Sequence, residues 1–257
     1  MTVHEENSQW SGRVVVVTGA TKGIGEATAR LFAARGARVI VHGRDAGRAE
    51  IVRREIQDSG GDATVVLKDL GIPASCRALI EEATRISGQI DVLVNNAGAN
   101  LFKGTLGTTL SDWDDCLDLD LRAVWLCSKE AVPHISDGGS IVNVSSNHAS
   151  ATLPGIFPYN VAKAGVNALT QSLAIELADR RIRVNAVAPG YVDTPINDRY
   201  FDSFADPAEA RANAERLHLT KRLGRPREVA EAIEFLASPA SAFTTGTILT
   251  LDGGRSA

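Results

Sequence analysis

The sequence predicts an α/β fold: one domain built on a doubly wound parallel sheet of about seven strands, flanked by helices. Three observations predict it. Short runs rich in Val and Ile recur along the chain, segments with helical apolar spacing lie between them, and no Pro/Ser/Gly-rich linker or composition shift divides the 257 residues. Continuous apolar runs are what strands buried on both faces require. Strands alternating with helices imply right-handed βαβ crossovers and a mainly parallel sheet.

In chain order, apolar runs place strands at 14–17, 39–41, 65–67, 92–94, 141–144, 184–187 and 248–251. Helical spacing places helices at 24–34, 46–57, 75–86, 110–135, 158–178 and 226–237. This is a Rossmann-type order, in which the ligand lies beyond the carboxyl ends of the strands, so functional residues should follow each strand directly. Residues 1–10 read as a flexible polar tail and 11–257 as the single domain. The stretch 191–220 breaks the alternation. It is long, polar and in places aromatic, and its position after a strand's carboxyl end suits a lid over a substrate.

Composition excludes several function classes. With 44% apolar residues the chain has material for a sizeable core, and its net charge of −4 gives no basic field for nucleic acid or an anionic membrane. No apolar stretch has the length of a signal peptide or a membrane span, so a cytoplasmic protein is expected. Cys76, Cys116 and Cys127 form no CxxC pair and read as small apolar residues on helices. His4, His42, His134, His148 and His218 are scattered, without metal-ligand spacing to those cysteines, so no metal site is expected.

After the first strand comes Thr18-Gly19-Ala20-Thr21-Lys22-Gly23-Ile24-Gly25. Glycines there let backbone N–H groups and the positive end of the next helix approach a pyrophosphate. Between a buried strand and a helix, such a turn is a dinucleotide signal. At the end of the second strand, where an NAD-preferring site usually places an acid for the ribose 2′-hydroxyl, stands Gly43, followed by Arg44. Lys22 and Arg44 are two cations for a 2′-phosphate, so NADP(H) is expected in preference to NAD(H). Asp69-Leu70 suits the adenine ring, or an ordinary loop. Asn95-Asn96-Ala97-Gly98 reads either as a turn or as part of the cofactor crevice.

Tyr159 and Lys163 stand four residues apart at the start of a helix, hence on one face. A nearby ammonium favours the phenolate and is expected to lower the tyrosine pKa from about 10, allowing proton exchange with an alcohol or carbonyl oxygen. Ser146, just after the fifth strand, offers a hydroxyl to polarise that oxygen.

These motifs together make the chain resemble the short-chain dehydrogenase/reductase family, including its 3-oxoacyl carrier-protein reductase-like and sugar dehydrogenase-like members. The likeness runs from about Arg13 to Gly254 and takes in Asn185, Pro189-Gly190, Thr194, Gly224-Arg225 and Asp252-Gly253-Gly254. The resemblance implies that Tyr159 is the acid/base, Ser146 the group that orients the substrate oxygen, and Lys163 the partner of the nicotinamide ribose. It implies cofactor contacts from Gly19, Thr21, Lys22, Gly23, Ile24, Gly25, Arg44, Asp69, Leu70, Asn96, Ala97 and Gly98. Pro189, Gly190, Val192 and Thr194 would hold the carboxamide and pyrophosphate, while Asn95 and Gly98 would support the inner ribose and the central strand. A homo-oligomer, tetramer or dimer, is also implied.

One departure stands out. Leu117-Asp118-Leu119-Asp120-Leu121-Arg122 puts Asp120 where the family often has an Asn that helps hold a relay water. Asp120 can bond a water or pair with Lys163. The substrate is a small carbonyl or alcohol, with a small polar or 3-oxoacyl compound favoured slightly over an alicyclic ketone. Residues for it are expected from 100–103, 147–157 and 191–204, with His148 facing a loop or solvent. The rival readings are a catalytically silent NADP(H)-binding sensor and an isomerase that retains its cofactor.

Overall fold

The computed structural model describes residues 9–257. Most of the expected tail therefore lies outside the described residues. Within it, Trp10 is buried: its ring packs edge-on against Phe32, centroids 4.9 Å apart, and its Nε1 donates to Glu234 at 3.0 Å.

Seven strands form one sheet: β1 (Val14–Val17), β2 (Arg38–Gly43), β3 (Asp62–Leu67), β4 (Ile90–Asn95), β5 (Ile135–Val144), β6 (Arg183–Pro189) and β7 (Ile248–Leu251). Their order is β3-β2-β1-β4-β5-β6-β7, and every neighbouring pair is parallel. The order reverses between β1 and β4, which opens the crevice where such sheets bind ligands. Strands outrun their apolar cores where ladder bonds carry them on. β5 begins six residues before Ile141, with a register irregularity opposite β4 between Ile90 and Val92.

Alternate valines divide between two cores, as the pleat requires. Val15 and Val17 face a layer that includes Phe32 of α1 (Gly23–Ala34), Val52 of α2 (Ala46–Asp58) and, at the far end of the chain, Ile233. Val14 and Val16 face Leu79 of α3 (Pro73–Ser87) and several elements from the chain's middle.

The helix expected over 110–135 is interrupted. α4 (Leu110–Leu117) opens with a capping box, Thr109 Oγ1 accepting from Asp112 N at 3.1 Å. A π turn over Asp118–Arg122 follows, and then α5 (Ala123–Ala131), after which a 3-10 turn leads into β5. An i→i+5 turn absorbs one extra residue without breaking the helix axis, and apolar spacing alone does not reveal it.

After β5, α6 (Tyr159–Glu176) contributes Leu173 to the second core. The 191–220 stretch contains two helices, α7 (Pro195–Phe201) and α8 (Pro207–Leu217). α9 (Pro226–Ala237) supplies Ile233 to the first core. The three cysteines are buried on α3, α4 and α5 without disulfides. Among the described residues, no helix is long and apolar enough to cross a membrane, and no three His, Cys, Asp or Glu side chains gather as a metal site.

Candidate active site

The carboxyl ends of β1, β2, β4, β5 and β6 open into one cleft of about 700 Å³. Gly19, Thr21, Lys22, Gly23, Ile24, Arg44, Leu70, Asn96, Ala97, Gly98, Pro189, Gly190, Val192 and Thr194 line it, as do Asp120, Ser146, Tyr159 and Lys163. Gly25 and Asp69 do not. Gly25 packs so tightly that a Cβ would lie 2.2 Å from Gly19 O, making it a close-approach residue for the turn. Asp69 lies beside Arg44, 3.6 Å from Nη1, and accepts from Gly71 N.

The turn after β1 is fixed by its neighbours. Gly19 and Gly23 sit at φ +64° and +57°, a region that side chains rarely adopt. Thr18 Oγ1 accepts from Asn96 N and Ala97 N at 2.9 and 3.0 Å, and Asn96 Nδ2 donates back to Thr18 O at 2.9 Å. Gly19 N donates to His42 Nδ1 at 3.1 Å, while His42 Nε2 meets Lys68 O at 3.1 Å. That pairing places the ring proton on Nε2. Burial, with the Arg44 charge adding to it, pushes His42 down to about 4. Asn95 turns away from the cleft, donating to Ser128 and Asn143 instead.

Lys22, Arg44, Arg48 and Arg199 share one end of the cleft. Burial and then the Arg199, Arg44 and Arg48 charges push the Lys22 pKa down, as a cation crowded by cations requires. Arg48 follows Arg44 by four residues, and that spacing is readable in the sequence. Arg199 comes from α7 and carried no sequence signal. A Cβ at Gly43 would lie 2.4 Å from Thr21 Cγ2, so a side chain there requires Thr21 to move.

At the other end, Tyr159 and Lys163 project from the first turn of α6. Lys163 is 4% exposed and Asp120 1%, and Lys163 Nζ lies 3.1 Å from Asp120 Oδ1. Lys163 Nζ donates to Val144 O at 3.1 Å and sits 5.5 Å from the Tyr159 ring centroid. The expected lowering of the Tyr159 pKa does not occur. Burial raises it and outweighs the Lys163 charge, and the Asp120 carboxylate pushes the same way.

His148 corrects its expectation as well. It is buried, lines the cleft and is held down to about 4 by burial and the Arg255 charge. Phe102 stands edge-on to Tyr159 and Tyr200, with centroids 5.3 and 5.1 Å away, and Tyr191 stacks on Tyr200. Asn100 lines the cleft but its amide donates to Asn197. Leu153 and Phe157 are outside the lining, and Phe157 packs on Trp113. Asn147 donates to Asp252.

Comparison with known proteins adds to this geometry. The family model described as Enoyl-(Acyl carrier protein) reductase matches residues 19–256. The cis-4-hydroxycyclohexanecarboxylate dehydrogenase of Sinomonas cyclohexanicum is 46% identical, over 95% of this chain and 97% of its own. The 3beta-hydroxysteroid dehydrogenase 1 of Eggerthella lenta is 41% identical, over 95% and 93%. A crystal structure of a short chain dehydrogenase from Burkholderia cenocepacia in complex with NADP superposes with a TM-score of 0.90 at 34% identity, covering 97% of this chain and all of the other.

The His42 contacts generate a stability prediction. Its folded pKa lies below the ordinary 6.5, so on acidification the unfolded chain takes the proton first. The stability it contributes is complete above about pH 6.5 and is lost as pH falls through about 4, because protonating Nδ1 removes the acceptor for Gly19 N–H. Between pH 7 and 4.5 the urea-unfolding free energy should fall by about 2 kcal/mol more in the wild type than in His42→Gln. Parallel curves would show that His42 does not set this dependence.

Proposed function

Because the chain belongs to the short-chain dehydrogenase/reductase family, we propose that it moves a hydride between NADP(H) and a ring ketone or its secondary alcohol, with Tyr159 as acid/base. The observation that carries this reading is the convergence of Ser146, Tyr159 and Lys163 on the cleft whose other end is the glycine turn. A silent NADP(H) sensor has no use for that set.

The residues present fit a dinucleotide phosphate. Gly23 leaves the start of α1 approachable, and Lys22, Arg44, Arg48 and Arg199 form a cationic end suited to a 2′-phosphate. At Gly43 no acid stands to select the free ribose, and a side chain there would press on Thr21. Leu70 provides an apolar contact for the adenine. Asn96, Ala97 and Gly98 would flank the inner ribose, while Pro189, Gly190, Val192 and Thr194 would border the nicotinamide. The cofactor bound there supplies or accepts the hydride.

The chain's own residues manage the oxygen. Ser146 hydrogen-bonds the substrate carbonyl and fixes its direction. Tyr159 gives its hydroxyl proton to that oxygen during reduction and takes it back during oxidation. Lys163 positions the phenol and offers Nζ to a ribose hydroxyl. Phe102 presents aromatic surface beside Tyr159, Tyr191 lines the same cleft and Tyr200 backs both rings, which favours an apolar alicyclic substrate over a sugar or a flexible 3-oxoacyl chain. The two relatives named for ring alcohols support the same choice. The 191–220 helices act as the lid that shuts water out. Exposed Trp125, Phe235 and Phe243 suit a homo-oligomer.

Three measurements test this reading. Tyr159→Phe should lose about a hundred- to ten-thousandfold in kcat while NADPH binding, followed by fluorescence, stays within about twofold. Undiminished turnover would remove Tyr159 from the chemistry. Arg44→Ala should weaken NADPH binding about tenfold more than NADH binding, and equal losses would end the 2′-phosphate assignment. Substituted cyclohexanones should be reduced with higher kcat/KM than 3-oxoacyl thioesters or glucose-type substrates. The opposite ranking would refute the ring-ketone assignment.

A further inference from the structure

Asp120 is set into the π turn between α4 and α5, and its side chain points inward. Its Oδ2 accepts from Ala99 N at 3.1 Å, which ties the turn to the loop after β4. Its Oδ1 lies 3.1 Å from Lys163 Nζ in a buried ion pair. The approach is close on the other side too, since a Cβ at Gly98 would lie 2.5 Å from Oδ1. The carboxylate is thus enclosed by Gly98, Ala99 and Lys163 and lines the same cleft as Tyr159.

This placement decides what charge the phenol meets. A lone buried ammonium beside Tyr159 would favour the phenolate. Paired with Asp120, it contributes no net charge, whether the pair is ionised or has passed its proton to give a neutral acid and amine. The other groups facing the phenol are Ser146, from the loop after β5, and the Cys116 thiol of α4, which burial and Asp120 push up to about 12. Neither replaces the missing cation. An asparagine at 120 would have the same shape and could still accept from Ala99 N, but it would leave Lys163 uncompensated.

We propose that Asp120 is a positioning residue of the reaction: by pairing with Lys163 it cancels the charge that would draw the Tyr159 phenol toward phenolate, which adds to the effect of burial, extends carbonyl reduction to higher pH and defers alcohol oxidation to alkaline conditions. The catalytic consequence rests on the reading of Tyr159 as the acid/base. The charge balance itself does not. The chemistry at the oxygen is unchanged. In reduction the carbon gains the hydride, the carbonyl π pair moves to oxygen, and Tyr159 supplies the proton; oxidation reverses each step.

The test is Asp120→Asn, read in two ways. In cofactor-free protein carrying 3-fluorotyrosine, the ¹⁹F resonance assigned to position 159 by its loss in Tyr159→Phe should titrate with a midpoint about one pH unit or more lower in the variant. In the holoenzyme, the rising limb of kcat against pH for alcohol oxidation should move in the acid direction by a similar amount, with little change in KM. An unmoved midpoint, or one shifted to alkaline pH, in a variant with wild-type circular dichroism would overturn the proposal. Should Asp120→Asn not fold, Asp120→Ser is read by the same titration, with the same result expected and the same results overturning the proposal. If Tyr159→Phe stays active, the catalytic reading fails, yet the fluorine titration still decides the charge balance at Asp120.

Discussion

Because both faces of the sheet are covered by helices, the backbone groups along β1, β4 and β5 are committed to their neighbours. Polar groups are left for a ligand only where those strands end. Everything functional in the molecule follows from that restriction. Thr18 at the end of β1 holds Asn96 and Ala97 at the end of β4, and His42 near the end of β2 holds Gly19. These bonds lock three strand ends into one rim. The glycine turn therefore owes its shape to side chains from other strands as much as to its own glycines.

Along that rim the electrostatics change character. At one end Lys22, Arg44, Arg48 and Arg199 crowd together, with Asp69 beside Arg44 as a half-exposed acid. Cations so close repel one another, and an incoming phosphate relieves that repulsion. At the other end Lys163, the cation beside Tyr159, is matched at 3.1 Å by Asp120. The cleft thus presents excess positive charge to the part of a ligand that carries phosphate and near neutrality to the part that exchanges a proton.

Much of this was legible in the sequence. The strands were readable because burial on both faces demands unbroken Val and Ile, and their extra residues were not, since ladder bonds extend pairing to polar residues such as Arg38 and Asp62. The glycine turn, Ser146, Tyr159 and Lys163 were found from strand ends and helical spacing, and the structure gathers them in one cleft. What escaped depended on contacts between distant segments. Arg199 reaches the cationic end only through the fold of α7. His148 looked like a loop residue because nothing local reveals that Phe102 and Tyr191 enclose it. The direction of the Tyr159 shift was misread because the local pair was counted without the burial and the carboxylate that tertiary structure adds.

The π turn over Asp118–Arg122 has a consequence of a different kind. Adding one residue to a helix rotates all that follows by about 100°, so α4 and α5 are phased separately. Cys127 and Ala131 of α5 face the sheet, while Leu121 fits against Gly165 of α6. The five residues of the turn act as a swivel between two bearings that are each anchored elsewhere. Position 120 is held by the Ala99 N–H and the Lys163 ammonium and carries none of the apolar packing on either side. The shape of the turn therefore does not depend on the side chain at 120, whereas the charge balance around Lys163 does.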